Sequence, residues 1–445
     1  LSSTGNLFQK GGNTLQFKYQ SSSSAAAYLD WFKITYPREI ESSNEPIYGW
    51  LTLNANSTQL SALALSSNWH FWDFNNYLDP EALVFTGNNF KTQKQGNVHL
   101  LGFADGMEDA ISLELVDIDF NRLRNPSNEG QYVIISPETF ISQAERLADI
   151  HENKVRLDEQ LKCYTASISD IYNEFSGGVD DPGAIKYFLS YALRNWAIKP
   201  EYVVLLGDAD FDYRNLTGLS QLRIPTIQVD GLTEINSYSS DDFFTHLIGN
   251  DVLPDIALGR IPAKNASKLN VFLDKLEQYC VNSPEGLWRN TITLVADDPL
   301  RPREYFESYH IDDTEDLADQ LPKSLQVNKV YLTEYPEVQD PTSPYVLKPA
   351  ARDALLQRIY NGTAIVNYMG HGSPWVWAQE EVFTESDLSN LRTHGQWPLF
   401  CAGTCDWGKY DDVASQSMAE HLLLLENEGG IGVIASTRKS FGGSN

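Results

Sequence analysis

Residues 361–377 read NGTAIVNYMGHGSPWVW, and the rest of the chain is best read outward from them. The apolar, β-branched run TAIVNYM has the texture of a buried strand, and it opens directly onto Gly-His-Gly. In open α/β sheets, functional side chains gather just beyond the carboxyl ends of strands, which is where this reading puts His371. A second segment has the same form: the apolar WPLFCAG contains Cys401 and is followed by a second thiol, Cys405. Two neighbouring parallel strands would therefore carry an imidazole and a thiol to one edge. A thiolate attacks an acyl carbon and an imidazole protonates the leaving amine, so the pair suits acyl transfer. Gly370 and Gly372 leave backbone N–H groups approachable, as an oxyanion site requires. The plainer reading stands beside this one: a buried strand-end Cys is an ordinary small hydrophobe, and a loop His an ordinary surface residue.

Strands alternate with helical stretches on both sides of this segment. YVIIS (132–136), YVVLLG (202–207) and DIALGRI (255–261) form one series with helices between them. TITLVA (291–296), VNKVYL (327–332), TAIVNYM, WPLFCAG and IGVIAS (431–436) form a second, with helices expected around 303–321, 348–360 and 413–427. This alternation builds mostly parallel sheets covered by helices. Before about residue 128 the texture differs. Short aromatic and β-branched runs such as TLQFKYQ, YLDWFKITY, YGWLTL, ALVFTG and ISLELVDI are separated by Ser, Asn and Gly clusters, which predicts an antiparallel, sandwich-like β domain. The expected division is 1–128, then α/β subdomains at 129–285 and 286–445, and periodicity alone leaves open whether the last two share a sheet.

Bulk composition narrows the partners. The 445 residues are 42% hydrophobic, enough for several cores, and 33 basic against 60 acidic residues give a formal charge of −27. That charge repels nucleic-acid backbones and anionic membranes. No apolar run reaches the length of a transmembrane span. The start, LSSTGNLFQKGGNTLQFKYQ, lacks the basic and apolar regions of a signal peptide and reads as the middle of a β domain cut from a longer chain. Four cysteines, Cys163, Cys280, Cys401 and Cys405, are too few and scattered for a disulfide framework.

The ordered set IVNYMGHGS, FCAGTCDWGKYDD and GGIGVIASTRKSF, with PEYVVLLGDADFDYRN, YSSDDFF and LPDIALGRIPAKN upstream, resembles the gingipain-type cysteine peptidases of family C25, in the caspase-like group. The likeness covers roughly 130–445. It implies two Rossmann-like, caspase-like subdomains and a cysteine peptidase in which Cys405 is the nucleophile and His371 the general acid and base. It also implies an oxyanion hole from the N–H groups of Gly372 and Cys405. TCDWGKY matches the family's Cys-x-x-Gly segment, which favours Cys405 over Cys401, a residue inside the apolar strand. The family's carboxylate that steadies the His falls at Asp298 or its neighbour Asp297.

At the substrate pocket the sequence departs from the family pattern. His310 falls near the position of the acidic residue with which the arginine-cleaving members hold their substrate, so a strict Arg preference is not implied. Phe441 matches an aromatic pocket wall, and Trp375 and Trp377 are close enough in sequence to line a cleft or to be core. No cofactor is required, and structural calcium is implied as an option. Asp208, Asp210 and Asp212 in GDADFDYRN are candidates, although Tyr213 and Leu219 stand where an EF-hand loop needs Gly and Glu.

Within the family, YLDWFKITYPRE, FWDFNNYLDPEAL and VADD resemble the PorU-like sortase branch. That likeness implies a protein substrate carrying a C-terminal sorting domain, cut at the outer-membrane surface beside other type IX secretion components. It also implies transfer of the cargo to a lipopolysaccharide acceptor.

Overall fold

The computed structural model describes residues 45–440, apart from 54–58, 62–67, 78, 87–88, 92–95, 108–118, most of 211–223, 230–236, 250, 300–308, 340–345 and 413, and it also describes Thr14. The chain forms two compact units, Leu1–Val116 and Asp117–Asn445. In the first unit, β1 (Ile47–Leu53), β2 (Gln59–Ser61), β3 (Trp69–Asp73), β4 (Glu81–Thr86), β5 (Asn89–Lys91) and β6 (Gly96–Ala104) make one antiparallel sheet in the order β1-β6-β3-β4-β5-β2. Alternation fixes its face: Trp69 and Phe71 of β3 and Val98 and Leu100 of β6 point inward, with His70 turned out. The runs TLQFKYQ (apart from Thr14), YLDWFKITY and ISLELVDI lie outside the described residues.

The second unit holds two parallel sheets. β7 (Tyr132–Ser136), β8 (Cys163–Ser167), β9 (Tyr202–Leu206) and β12 (Ala257–Ile261) pair in the order β12-β9-β7-β8. Helices α1 (Ile141–Asp149), α2 (Ile168–Ser176), α3 (Gly183–Asn195) and α4 (Ala266–Asn282) cover this sheet, and a ribbon of β10 (Ile227–Val229) and β11 (Tyr238–Ser240) lies beside it. The second sheet joins β13 (Thr291–Ala296), β14 (Gln326–Tyr331), β17 (Ile365–Met369), β21 (Leu399–Gly403) and β22 (Gly432–Ala435) in the order β14-β13-β17-β21-β22. Its helices are α5 (Tyr309–Gln320), α6 (Pro349–Asn361) and α7 (Met418–Leu423). Two small ribbons complete the list, one from β15 (Val338–Gln339) and β16 (Val346–Leu347), the other from β18 (Gly372–Ser373), β19 (Val376–Trp377) and β20 (Phe383–Thr384). The expected α/β class with mostly parallel sheets is what the second unit has, and its two strand series form separate sheets.

Helices of the two sheets pack together. Leu269 and Leu273 of α4 share one apolar cluster with Leu423 and Leu424 at the end of α7. Lys275, fully covered in α4, donates to the carbonyls of Leu423 and Glu428 at 2.7 and 3.0 Å, satisfying acceptors that the end of a helix leaves bare. The second sheet's core is aromatic. Tyr368 of β17 stacks on Trp377 at 4.5 Å, and Trp377 meets Trp407 at 4.9 Å. Such pairs add about 0.5–1.5 kcal/mol each beyond the area they bury. Trp377 is therefore core, fully buried, whereas Trp375 in the preceding turn is 46% exposed. No helix among the described residues is long and apolar enough to cross a membrane.

Candidate active site

Register places the candidate residues. Along β13, β17 and β21, the last paired residues Ala296, Met369 and Gly403 lie side by side. Asp298, His371 and Cys405 each follow their strand's end by two residues, and parallel strands lie about 4.8 Å apart. His371 thus occupies the middle strand end, between one that bears carboxylates and one that bears the thiol. The N–H of Gly370 donates to the carbonyl of Gly403 at 3.2 Å, carrying the β17–β21 pairing one step past the strands.

The two glycines answer a packing demand. A Cβ on Gly370 would lie 2.4 Å from both the Asp297 Cβ and the Tyr368 hydroxyl, and one on Gly372 would lie 2.4 Å from the Thr404 hydroxyl. Only Gly lets the β17 loop settle against the strand ends on either side. The ribbon beyond it also orients an amide. Ala378 N–H donates to the His371 carbonyl at 2.8 Å, so Gly372, opposite Trp377, falls on the alternate pair, with its N–H turned away from β19.

Of the two acids after β13, Asp297 is the one bound to the His371 segment. Its Oδ2 accepts the His371 backbone N–H at 2.8 Å and lies 3.3 Å from the Tyr368 hydroxyl oxygen. Burial pushes the Asp297 carboxyl up to about 7, with the charge of Asp298 adding to the rise and backbone N–H donors opposing it. Burial, and then the charge of Asp297, hold the Tyr368 phenol well above its ordinary value, so it stays a donor and reaches the His371 carbonyl at 2.6 Å. Asp298 gives its carboxylate to Lys348, at 2.5 Å, and Lys348 also donates to the Leu332 carbonyl at 2.7 Å. Glu380 completes an acidic group with Asp297 and Asp298, and burial followed by those two charges pushes it up to about 7.

His310, on the first turn of α5, is buried, and its ring meets that of His371 edge-on at 5.2 Å. Donor atoms of Asp297, His310 and His371 all lie within 4.8 Å of one another. The thiol side is covered by the segment after β22. Cys405 Sγ lies 3.5 Å from both the N–H and the carbonyl of Ser440, and the Asp406 N–H donates to the Arg438 carbonyl at 3.0 Å. Asp406 itself has φ +57°, a left-handed conformation uncommon outside Gly, immediately after the thiol. Gly408, the Gly of Cys-x-x-Gly, is the position where a Cβ would press to 2.9 Å from the Ala435 Cβ. Cys401 lies between Asn367 and Ile434 on the sheet face opposite Phe400 and Ala402, half-buried, and burial holds its thiol above the ordinary value.

Beside this segment lies a cavity of about 550 Å³ between β12 and β22, the edge strands of the two sheets. Arg260, Asp241 and Arg438 stand in its walls, and each arginine is paired with a carboxylate. Arg438 makes a fork to Asp411 at 2.8 and 2.6 Å, and Arg260 one to Asp241 at 2.7 and 2.8 Å. Gln228 adds a third donor to Asp411 at 2.7 Å. Asp411 and Arg438 both stand in the motif segments quoted above, without a role assigned to them there. The signal is an acid eight residues past β21 and a base three residues past β22. Asp241, in the YSSDDFF segment, is the ion-pair partner of Arg260.

Asp208, Asp210 and Asp212 are all buried, but they do not converge as a ligand set. Among the described residues, the acids and imidazoles whose donor atoms come together are those around Asp297. Asp210 accepts the Asp212 N–H at 2.6 Å, and Asp208 faces Glu420 at the capping box of α7. Phe441 lies outside the described residues.

A thiol and an imidazole on adjacent strand ends of an α/β sheet, with a backbone amide turned outward beside them, are the equipment of a cysteine peptidase. The profile of peptidase family C25 matches residues 125–445, and the chain belongs to that family. An uncharacterized protein of Archaeoglobus fulgidus is 22% identical over 339 residues, covering 70% of this chain and 76% of that protein. The crystal structure of the Arg-specific cysteine proteinase gingipain R is similar over 70% of this chain, with 19% identity and a TM-score of 0.51. This chain spans 64% of that proteinase's length. The crystal structure of dimeric latent PorU from Porphyromonas gingivalis aligns with 54% of this chain and 25% of its own, at 20% identity and a TM-score of 0.42.

Proposed function

We propose that the chain cuts peptide bonds through a thioester on Cys405. The thiolate attacks the carbonyl carbon, and the N–H groups of Gly372 and Cys405 take the oxyanion. His371 gives a proton to the leaving amine and then deprotonates the nucleophile that resolves the thioester. Asp297 is a positioning residue, fixing the backbone of His371. The observation that carries this reading is the equal offset of His371 and Cys405 beyond paired residues of β17 and β21.

The finer reading is a sortase that removes the C-terminal sorting domain from exported cargo and passes the thioester to an amine on a lipopolysaccharide acceptor. The motifs shared with the PorU-like branch support it. A sortase and a hydrolase differ only in the nucleophile that reaches the thioester. The test is a digest: casein and a cargo protein bearing its sorting domain are each incubated with the protein and with Cys405→Ala. Cleavage at the single junction, lost in Cys405→Ala, supports the sortase, and fragmentation of casein at many sites supports a broad protease. Equal cleavage by Cys405→Ala refutes both.

A further inference from the structure

We propose that Asp297, His310 and His371 form a three-ligand site for a divalent transition-metal ion, zinc by its donor set, whose occupation holds the peptidase off. Three rigid elements bring the ligands to one point: Asp297 follows β13, His371 follows β17, and His310 sits on the first turn of α5, which packs against both strands. Their donor atoms already lie within 4.8 Å of one another. A tetrahedral zinc with bonds of about 2.1 Å sets its donors about 3.4 Å apart, so the set has to close by at most about 1.4 Å, a movement on the scale of an imidazole rotation.

The neighbouring all-oxygen group of Asp297, Asp298 and Glu380 would suit calcium or magnesium, but the Lys348 ammonium lies 2.5 Å from Asp298 and already fills the cationic role there. Two imidazoles and one carboxylate select zinc over hard cations. Three protein ligands leave a fourth position open for water. An ion there occupies the imidazole that the thiol needs. The inhibitory part of the proposal rests on the peptidase reading, whereas the binding part does not.

The experiment titrates cobalt(II), and then zinc in competition, into the whole protein without substrate. Visible absorption is followed for wild type, His310→Gln and Cys405→Ser. The expected result is an intense tetrahedral cobalt band at one equivalent in wild type and Cys405→Ser, bleached by zinc and absent from His310→Gln. A band kept in His310→Gln, or lost in Cys405→Ser, overturns the site. Zinc X-ray absorption on the wild-type protein gives an answer independent of how the variants fold. Two imidazoles in the ligand shell support the site, and fewer than two overturn it. In an active preparation, zinc should inhibit, and His310→Gln should raise the half-inhibitory concentration at least about tenfold. Binding without any peptidase activity would sink the peptidase reading and leave the metal site standing. Activity with no cobalt band would do the reverse.

Discussion

Gly372→Ala tests whether close packing of two strand ends sets the candidate site. The added Cβ would lie 2.4 Å from the Thr404 hydroxyl and 3.1 Å from the Val376 carbonyl, where ordinary contact begins at 3.4 Å. Thr404 is 1% exposed and has no space to retreat into, so the His371 and Cys405 ends must part by about 1 Å. Overpacking of this kind costs about 1–3 kcal/mol of stability. A displacement of about 1 Å at a reacting pair costs on the order of 10²-fold in rate. Thr404→Ala removes the atoms at 2.4 and 3.3 Å, so the double variant Gly372→Ala/Thr404→Ala should regain most of both losses, with a coupling of about 1–2 kcal/mol. Denaturant unfolding reads the stability, and the rate at which a peptidyl electrophile modifies Cys405 reads the site. Wild-type behaviour of Gly372→Ala in both assays, or a double variant no better than the single one, would refute the packing argument.

Other parts of the account are open to simpler tests. Lys348→Met strips the buried partner from Asp298 and leaves it beside Asp297 and Glu380, which should cost about 3–5 kcal/mol in unfolding free energy. A loss under about 1 kcal/mol would show that the pair is not structural. Burial, and then the charge of Glu420, push Asp208 up to about 9, far above its unfolded value near 3.9. The folded state therefore holds a proton that the unfolded chain releases. This contribution to stability is fully present below about pH 4 and is lost as the pH rises toward 9. Asp208→Asn should lose less stability than wild type between pH 5 and pH 9, read by urea melts at each pH, and parallel curves would contradict the assignment. Arg438→Met leaves Asp411 buried without its fork and loosens the segment over Cys405, so electrophile labelling should slow by about tenfold or more while Arg438→Lys recovers only part. Equal labelling of all three proteins would detach that ion pair from the site.

Much of the second unit was legible because its strands are apolar runs bounded by turns. TITLVA and TAIVNYM are β13 and β17 almost residue for residue, and both candidate reactive residues follow such runs. What was illegible depended on pairing. Whether the two strand series share a sheet is decided by which edges meet, and no local pattern records that β12 and β22 are both edges. CYTAS, which is β8, escaped notice because a five-residue strand without alternation looks like a loop. The helix expected over 413–427 is only Met418–Leu423, because Ser417 and Glu420 form a capping box that starts it late.

At the site, sequence narrowed the acid to two adjacent residues but could not separate them, since successive residues point to opposite sides. The distinction came from Lys348, which arrives from the start of α6 to hold Asp298 and leaves Asp297 to the His371 segment. The burial of His310 against His371 was equally out of reach. It depends on how α5 lies across β13 and β17, which a short amphipathic helix does not announce.

The central claim is that His371 activates the thiol of Cys405. Burial holds the thiols of Cys163, Cys280 and Cys401 above their ordinary values, so they should be slow nucleophiles near neutral pH. The direct measurement is mass-resolved alkylation of all four cysteines across pH in wild type and in His371→Ala. The account predicts one fast modification, at Cys405, at least about 10²-fold faster than the rest and reduced in His371→Ala to the rate of an ordinary thiol. Labelling of Cys405 at the same rate with and without His371, or faster labelling of Cys401, would contradict it.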